Sequence, residues 1–143
     1  MQKTIFVVDD SAINLTVVKN ALKHQYRVRT FSSALIMFEM LEVVIPELIL
    51  LDIEMPEMDG FEALAVLKKS SLTAGIPVIF LTNLKDAEVE AKGFQMGVVD
   101  FISKPFSVPV LQNRIKTHME IAGLFYLTKG SFEAVERYYD EYL

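Results

Sequence analysis

The stretch Leu48-Ile49-Leu50-Leu51-Asp52 decides the fold. Four apolar residues run without alternation and stop at a carboxylate. A strand reads this way when both of its faces are buried, as inside a parallel sheet. The residues that follow lead into a helix. Asp59 is placed to cap it, Glu62 sits three residues on in capping-box position, and Phe61, Leu64 and Leu67 share one face.

Outward from this stretch the same unit recurs. Upstream, Ile5-Phe6-Val7-Val8 ends at Asp9-Asp10 and is followed by Leu15, Val18 and Leu22 at helical spacing. Downstream, Val78-Ile79-Phe80-Leu81 ends at Thr82, and a run from Val98-Val99 through Ile102 leads to Lys104-Pro105. Between these two lies a weaker helix, Asp86 to Gln95, with Gly93 inside it and Gly97 placed to stop it. Tyr26-Arg27-Val28-Arg29-Thr30 alternates and reads as an edge strand with one wet face, and Leu35, Phe38 and Leu41 mark the helix after it. A last helix spans about Val108 to Ile121, with Pro109 tolerable in its first turn. The β-α order repeated five times predicts an α/β layer fold with right-handed crossovers, whose ligands sit beyond the carboxyl ends of the strands.

Composition narrows the chemistry. The chain has 143 residues, the size of one domain, with 52% hydrophobic and 23% charged residues. A net charge of −5 argues against a nucleic-acid surface. With no cysteine, disulfides, Cys–zinc sites and thiol nucleophiles are excluded. His24 and His118 are too few for a His-rich metal site, and each reads as a solvated or helix-end histidine. No apolar run is long enough to span a membrane, and the amino terminus lacks a signal-peptide layout. These readings predict a soluble cytoplasmic domain working with oxygen ligands.

In a parallel sheet the strand ends converge, so Asp9, Asp10, Asp52, Thr82 and Lys104 are expected at one edge. Any one of them alone would be a cap or a surface residue. Together they set three carboxylates beside one ammonium and one hydroxyl. Clustered carboxylates repel unless a cation joins them, and a hard divalent ion such as Mg2+ suits an oxygen site of this kind. Metal, lysine and hydroxyl are the groups that neutralise and orient a phosphoryl group, and a carboxylate left free beside them can attack phosphorus.

These residues carry a family resemblance. Val7-Val8-Asp9-Asp10-Ser11, Leu51-Asp52-Ile53-Glu54-Met55-Pro56-Glu57-Met58-Asp59-Gly60, Phe80-Leu81-Thr82 and Phe101-Ile102-Ser103-Lys104-Pro105-Phe106 resemble the receiver domain of two-component response regulators over residues 3 to about 121. The resemblance implies a flavodoxin-like, doubly wound five-stranded parallel sheet of order 2-1-3-4-5 with five flanking helices. It implies Asp52 as phosphoacceptor, and Mg2+ held by Asp10 directly, Asp9 largely through water, Asp52 and the backbone carbonyl of Glu54. Lys104 and Thr82 would each contact a phosphoryl oxygen, Thr82 and Phe101 would form the conformational switch, and the Lys104–Pro105 bond would be cis. The implied partners are a sensor histidine kinase or phosphotransfer protein, an output domain or downstream protein, and a second copy. That copy would pair through the face of the fourth helix, fifth strand and fifth helix, where Asp100, Arg114 and Lys116 could make ion pairs. Such a chain is a signalling switch that catalyses its own phosphotransfer and dephosphorylation, with no direct nucleic-acid or membrane contact.

Two departures bear on phosphoryl lifetime. Asn83 stands where the family commonly has a small residue, and Glu54 adds an acid two residues after Asp52. Rival readings fare less well. A flavodoxin-type FMN site wants a glycine- and hydroxyl-rich loop where Asp9-Asp10 stand. A haloacid-dehalogenase-type phosphatase wants aspartate where Glu54 stands. A scaffold without phosphorylation would not need all five site residues.

The receiver is expected at 1–121, leaving 122–143 as a C-terminal extension, linker or extra helix. Leu124-Phe125-Tyr126-Leu127 is apolar, Lys129-Gly130-Ser131 reads as a break, and Phe132, Val135, Tyr138 or Tyr139, and Tyr142 recur at helical spacing. Residues 131–143 carry four acids and one arginine, net −3, against 13 bases and 15 acids elsewhere. An extension this short is expected to leave the output to another chain or to sequence beyond it.

Overall fold

The computed structural model describes residues 2–123. Strand β1 (Thr4–Val8) leads to α1 (Ala12–Leu22), β2 (Arg27–Phe31) to α2 (Ala34–Leu41), β3 (Leu48–Asp52) to α3 (Gly60–Lys69), and β4 (Val78–Thr82) to α4 (Ala87–Met96). Strand β5 (Asp100–Ser103) is followed by α5 over residues 108–123. The five strands form one parallel sheet in the order β2-β1-β3-β4-β5. Among the described residues no helix is long and apolar enough to cross a membrane.

The unbroken apolar runs are buried on both faces, and their period of two divides the core. Phe6, Val8, Ile49, Leu51 and Phe80 point to one face, where Met37, Leu64, Leu67 and the partly buried Val89 of α2, α3 and α4 cover them. Ile5, Val7, Leu48, Leu50, Ile79 and Leu81 point to the other, under Val18 and Leu22 of α1 and Leu111, Ile115 and Met119 of α5. Strand β2 is the expected edge, with Arg27 and Arg29 exposed.

Local signals fix the helix ends. Ser11 and Ser33 cap α1 and α2 through their hydroxyls, and Asp86 caps α4. Asp59 and Glu62 form the full capping box of α3, with Glu62 N–H donating to Asp59 Oδ1 at 2.8 Å and Asp59 N–H to Glu62 Oε1 at 3.1 Å. Gly97 ends α4 in the left-handed conformation at φ 103°.

Three details differ from the sequence reading. The last strand starts at Asp100: Val98 N–H is used to close α4, donating to Gly93 O at 3.0 Å, and the first bond to β4 comes from Val99 N–H, which donates to Val78 O at 2.9 Å. On α2 the buried positions are Ala34 and Met37, which leaves Leu35 exposed and Phe38 and Leu41 half-buried on the flank. The last helix continues past Ile121 and is still helical at residue 123, the last described. The tyrosine-striped tail read at 124–143 lies outside the described residues.

The junction between β3 and α3 sets the position of the strand end. Gly60 N–H donates to Ile53 O at 2.8 Å, and a Cβ at this glycine would stand 2.5 Å from Asp52 O and 2.8 Å from Ile53 Cα. Both of those are backbone atoms and cannot swing aside. Gly60→Ala is therefore expected to destabilise by about 1–3 kcal/mol through overpacking. Urea unfolding measures it, and a variant as stable as the parent would contradict this packing.

Candidate functional site

The carboxyl edge of the sheet collects every residue singled out for it. Asp9 follows β1, Asp52 is the last residue of β3, Thr82 the last of β4, and Lys104 follows β5 with a cis bond to Pro105. Lys104 Nζ donates to Asp9 Oδ2 at 2.9 Å and to Asp52 Oδ1 at 3.0 Å. All three side chains are largely buried, and Asp10 beside them is exposed. Carboxylate oxygens of Asp9, Asp10 and Asp52 lie within 4.8 Å of one another.

Asp9 is held from all sides. Its Oδ1 accepts from Ser11 N–H at 2.9 Å, and its Oδ2 accepts from Asn14 Nδ2 at 3.2 Å as well as from Lys104. Asn14 was not singled out from the sequence. Its only signal was a place in the first turn of α1, three residues after the capping Ser11. Asp52 has only Lys104 as an ion-pair partner among the described residues.

Electrostatics follow from this imbalance. Burial pushes the Asp52 carboxyl up to about 6; Lys104 pulls it down, and Asp9 and Asp10 add to the rise. Because the folded value lies above the unfolded one, ionised Asp52 opposes folding at neutral pH, and that cost is relieved as pH falls through about 6. For Lys104, burial pulls the ammonium down, but its hydrogen bonds to Asp9 and Asp52 outweigh this and hold it above the usual lysine range. With all groups ionised, three carboxylates face one ammonium, which leaves two negative charges. The donor set is all oxygen, partly exposed at Asp10, and short of two positive charges, so it fits a hard divalent cation.

Thr82 and Phe101, expected from the sequence to form a switch, stand on the neighbouring strands β4 and β5. Thr82 is buried, and its Oγ1 accepts from Leu84 N–H at 2.8 Å, so the hydroxyl is engaged by its own loop. Phe101 is half-buried and packs edge-on against Phe80, 5.7 Å between centroids, and Phe94, 5.1 Å. Its ring tip occupies the space that a side chain at Gly93 would need. The side chains of Glu54 and Asn83 are exposed at the rim.

On the neighbouring face, Arg114 Nη1 pairs with Asp100 Oδ1 at 2.7 Å and also donates to Phe101 O at 3.0 Å. His118 is not solvated as the sequence suggested: its Nε2 lies 2.9 Å from Asp100 Oδ2. Arg114 and His118 stand one helical turn apart and share Asp100. Lys116, two residues from each, turns away toward Gln25 and Tyr26 and makes no ion pair among the described residues.

Comparisons with known proteins agree with this geometry. The family model described as the response regulator receiver domain matches residues 5–116. A Vibrio cholerae protein named as a probable cyclic di-GMP phosphodiesterase is 41% identical over 119 residues, which are 83% of this chain and 27% of that protein. Among solved structures, a response regulator receiver domain protein from Methanospirillum hungatei superposes with a TM-score of 0.79 at 27% identity, covering 86% of this chain and 98% of the other. The receiver domain of a signal transduction histidine kinase from Syntrophus aciditrophicus gives 0.75 at 31%, covering 82% and 90%. The chain spans only 27%, 9% and 54% of the lengths of three curated relatives that it matches.

Removing the shared ammonium should expose the repulsion it offsets. Lys104→Met leaves two buried carboxylates facing each other and is expected to cost about 3–5 kcal/mol. Adding Asp52→Asn to that variant is expected to recover part of the loss. Denaturant unfolding of the four proteins checks this as a double-mutant cycle. Additive effects of the two substitutions would show that the pair is not coupled.

Proposed function

The chain belongs to the response regulator receiver domain family, the signalling switches of two-component systems, and from this premise we propose that it accepts a phosphoryl group on Asp52. The observation that carries the reading is the single Lys104 ammonium lying 2.9 Å from Asp9 and 3.0 Å from Asp52. It keeps two carboxylates of a crowded set in place, and it is the group a phosphoryl oxygen would meet there.

The phosphodonor is a phosphohistidine on a sensor histidine kinase or phosphotransfer protein. An Asp52 carboxylate oxygen attacks phosphorus, the P–N bond breaks, and the departing imidazole takes up a proton. Asp9, Asp10, Asp52 and the backbone carbonyl of Glu54 would hold Mg2+, which when bound neutralises charge on the phosphoryl oxygens. Lys104 pairs with one of those oxygens. Thr82 gives up its bond from Leu84 N–H and donates its hydroxyl to another. Phe101 then follows into the space that Thr82 leaves, and the face of α4, β5 and α5 changes shape. The acyl phosphate adds charge and acceptor oxygens at one strand end, which is the bias this two-state element needs.

In this reading residues 1–121 form the receiver, 122–143 form its extension, and the domain works in the cytoplasm. It controls an output domain or downstream protein, and α4–β5–α5 is a surface for a second copy.

Incubation with magnesium and acetyl phosphate tests the reading. Intact mass spectrometry is expected to show the gain of one phosphoryl group, absent without magnesium and absent in Asp52→Ala. No gain at saturating magnesium, or a gain that survives Asp52→Ala, would overturn it.

Asn83 stands at the rim of the site, next to Thr82. Asn83→Ala is expected to change the decay rate of the phosphorylated form by severalfold. Identical decay in both proteins would remove Asn83 from the hydrolytic step.

A further inference from the structure

Residues 11–38 hold Lys19, Lys23, Arg27 and Arg29 and no acid, a net charge of +4, against ten bases and 19 acids in the rest of the chain. The fold gathers this excess at one place. Strand β2 is an edge of the sheet, and α1 leads into it. Arg27 and Arg29 point to the same face of β2 as Phe31, which packs against Phe6 on the α2 side of the sheet. Lys19 and Lys23 belong to the opposite face, on α1. There Ala21 packs toward α5, and its carbonyl accepts from Gln112 Nε2 at 2.9 Å. Lys19 and Lys23, two residues before and after Ala21, stand about 160° round the helix from it, away from α5 and toward the β2 edge. All four basic side chains are exposed, and none has an ion-pair partner among the described residues.

The backbone between these bases is open. Arg27 N–H donates to Lys3 O at 2.8 Å, and Phe31 O accepts from Asp9 N–H at 3.1 Å, so the peptide groups of Arg27, Arg29 and Phe31 are turned to β1. Those of Val28 and Thr30 are turned outward, where β2 has no strand neighbour among the described residues. We propose that this edge docks an extended acidic segment of a partner protein, which adds to the sheet as a strand beside β2.

Charge complementarity selects this occupant. An added strand turns successive side chains to opposite faces of the sheet. Bases flank the β2 edge on both faces, Lys19 and Lys23 on one and Arg27 and Arg29 on the other, so consecutive Glu or Asp residues are met on each. Backbone bonds to Val28 and Thr30 supply affinity, and the four bases supply the selection. Basic residues on an edge strand also keep like edges apart, which accounts for Arg27 and Arg29. It does not account for two lysines on the flank of the helix, or for a stretch of 28 residues without an acid. A nucleic acid or lipid surface has no peptide groups to pair with a strand, and the net charge of −5 opposes an extended polyanion. No step involves Asp52, so this proposal and phosphoryl transfer stand or fail separately.

A fluorescein-labelled hexaglutamate peptide tests this on the full chain by fluorescence anisotropy. It is expected to bind about tenfold more tightly than the matching hexaglutamine peptide, and to lose about tenfold in affinity for Lys23→Glu combined with Arg29→Glu. Both of those side chains are exposed, and an unchanged urea midpoint shows that the variant is folded. Amide exchange followed by NMR reads the strand addition itself. In the free protein the amides of Val28 and Thr30 are expected to exchange fast while those of Arg27 and Arg29 are protected, and the peptide is expected to slow Val28 and Thr30. No binding of hexaglutamate, or equal binding by the folded variant, would overturn the proposal. Binding that leaves Val28 and Thr30 unprotected would overturn it too, as would protection of both in the free protein, which would place the chain itself or a second copy on the edge. Tighter binding to phosphatidylglycerol vesicles or to a short oligonucleotide than to hexaglutamate would assign the edge to a membrane or nucleic acid and overturn it as well.

Discussion

The Lys104 ammonium is bonded to two buried carboxylates at once, 2.9 Å from Asp9 and 3.0 Å from Asp52. Each of those carboxylates, buried alone, would be driven to protonate or to move into water. The shared lysine lets both remain at the strand ends, though it does not neutralise them. The carboxyl of Asp52, pushed up to about 6, measures what is left over. A site built this way is short of positive charge, and its all-oxygen donor set fits a hard divalent cation.

Much of the remaining architecture positions these three side chains. The parallel sheet brings the ends of β1, β3 and β5 together, and the two helical layers bury its faces so that the strands cannot slide. Ser11 caps α1, and its N–H, with the side chain of Asn14, orients Asp9. Gly60 lets the start of α3 press on the backbone of Asp52 and Ile53. Thr82 lies at the end of β4, one strand from Asp52, and Phe101 on β5 belongs to an edge-on stack that runs from Phe80 to Phe94 on α4. The stack thereby joins the core of β4 to the surface of α4.

The sequence made the sheet and the polar edge legible because both depend on short-range pattern. Apolar runs that stop at Asp52, Thr82 or Asp9 announce strand and strand end together, and the capping box at Asp59 and Glu62 places the start of α3. What it could not show depends on three-dimensional sharing. His118 looks like any surface histidine until β5 brings Asp100 to it. Asn14 looks like a helix residue until Asp9 is seen to accept its amide. Val98 reads as strand by composition, but backbone closure at Gly97 claims its N–H first, and only Val99 N–H reaches β4 at Val78 O. Leu35 was assigned to the buried face of its helix, which Ala34 and Met37 occupy. These differences follow from hydrogen-bond competition and helix phase, which residue type alone does not encode.

The two ends of the sheet divide the work by polarity. At the carboxyl end the strands terminate in groups that need charge, and Ile53 and Met55, which follow Asp52, are buried. At the amino end the strands start after Pro46-Glu47 and Ile76-Pro77, and the loops leave Ile45 and Leu72 in water. A parallel sheet makes this asymmetry unavoidable, since every strand starts on one side and ends on the other. The charged edge and the apolar edge are then separated by the length of the strands.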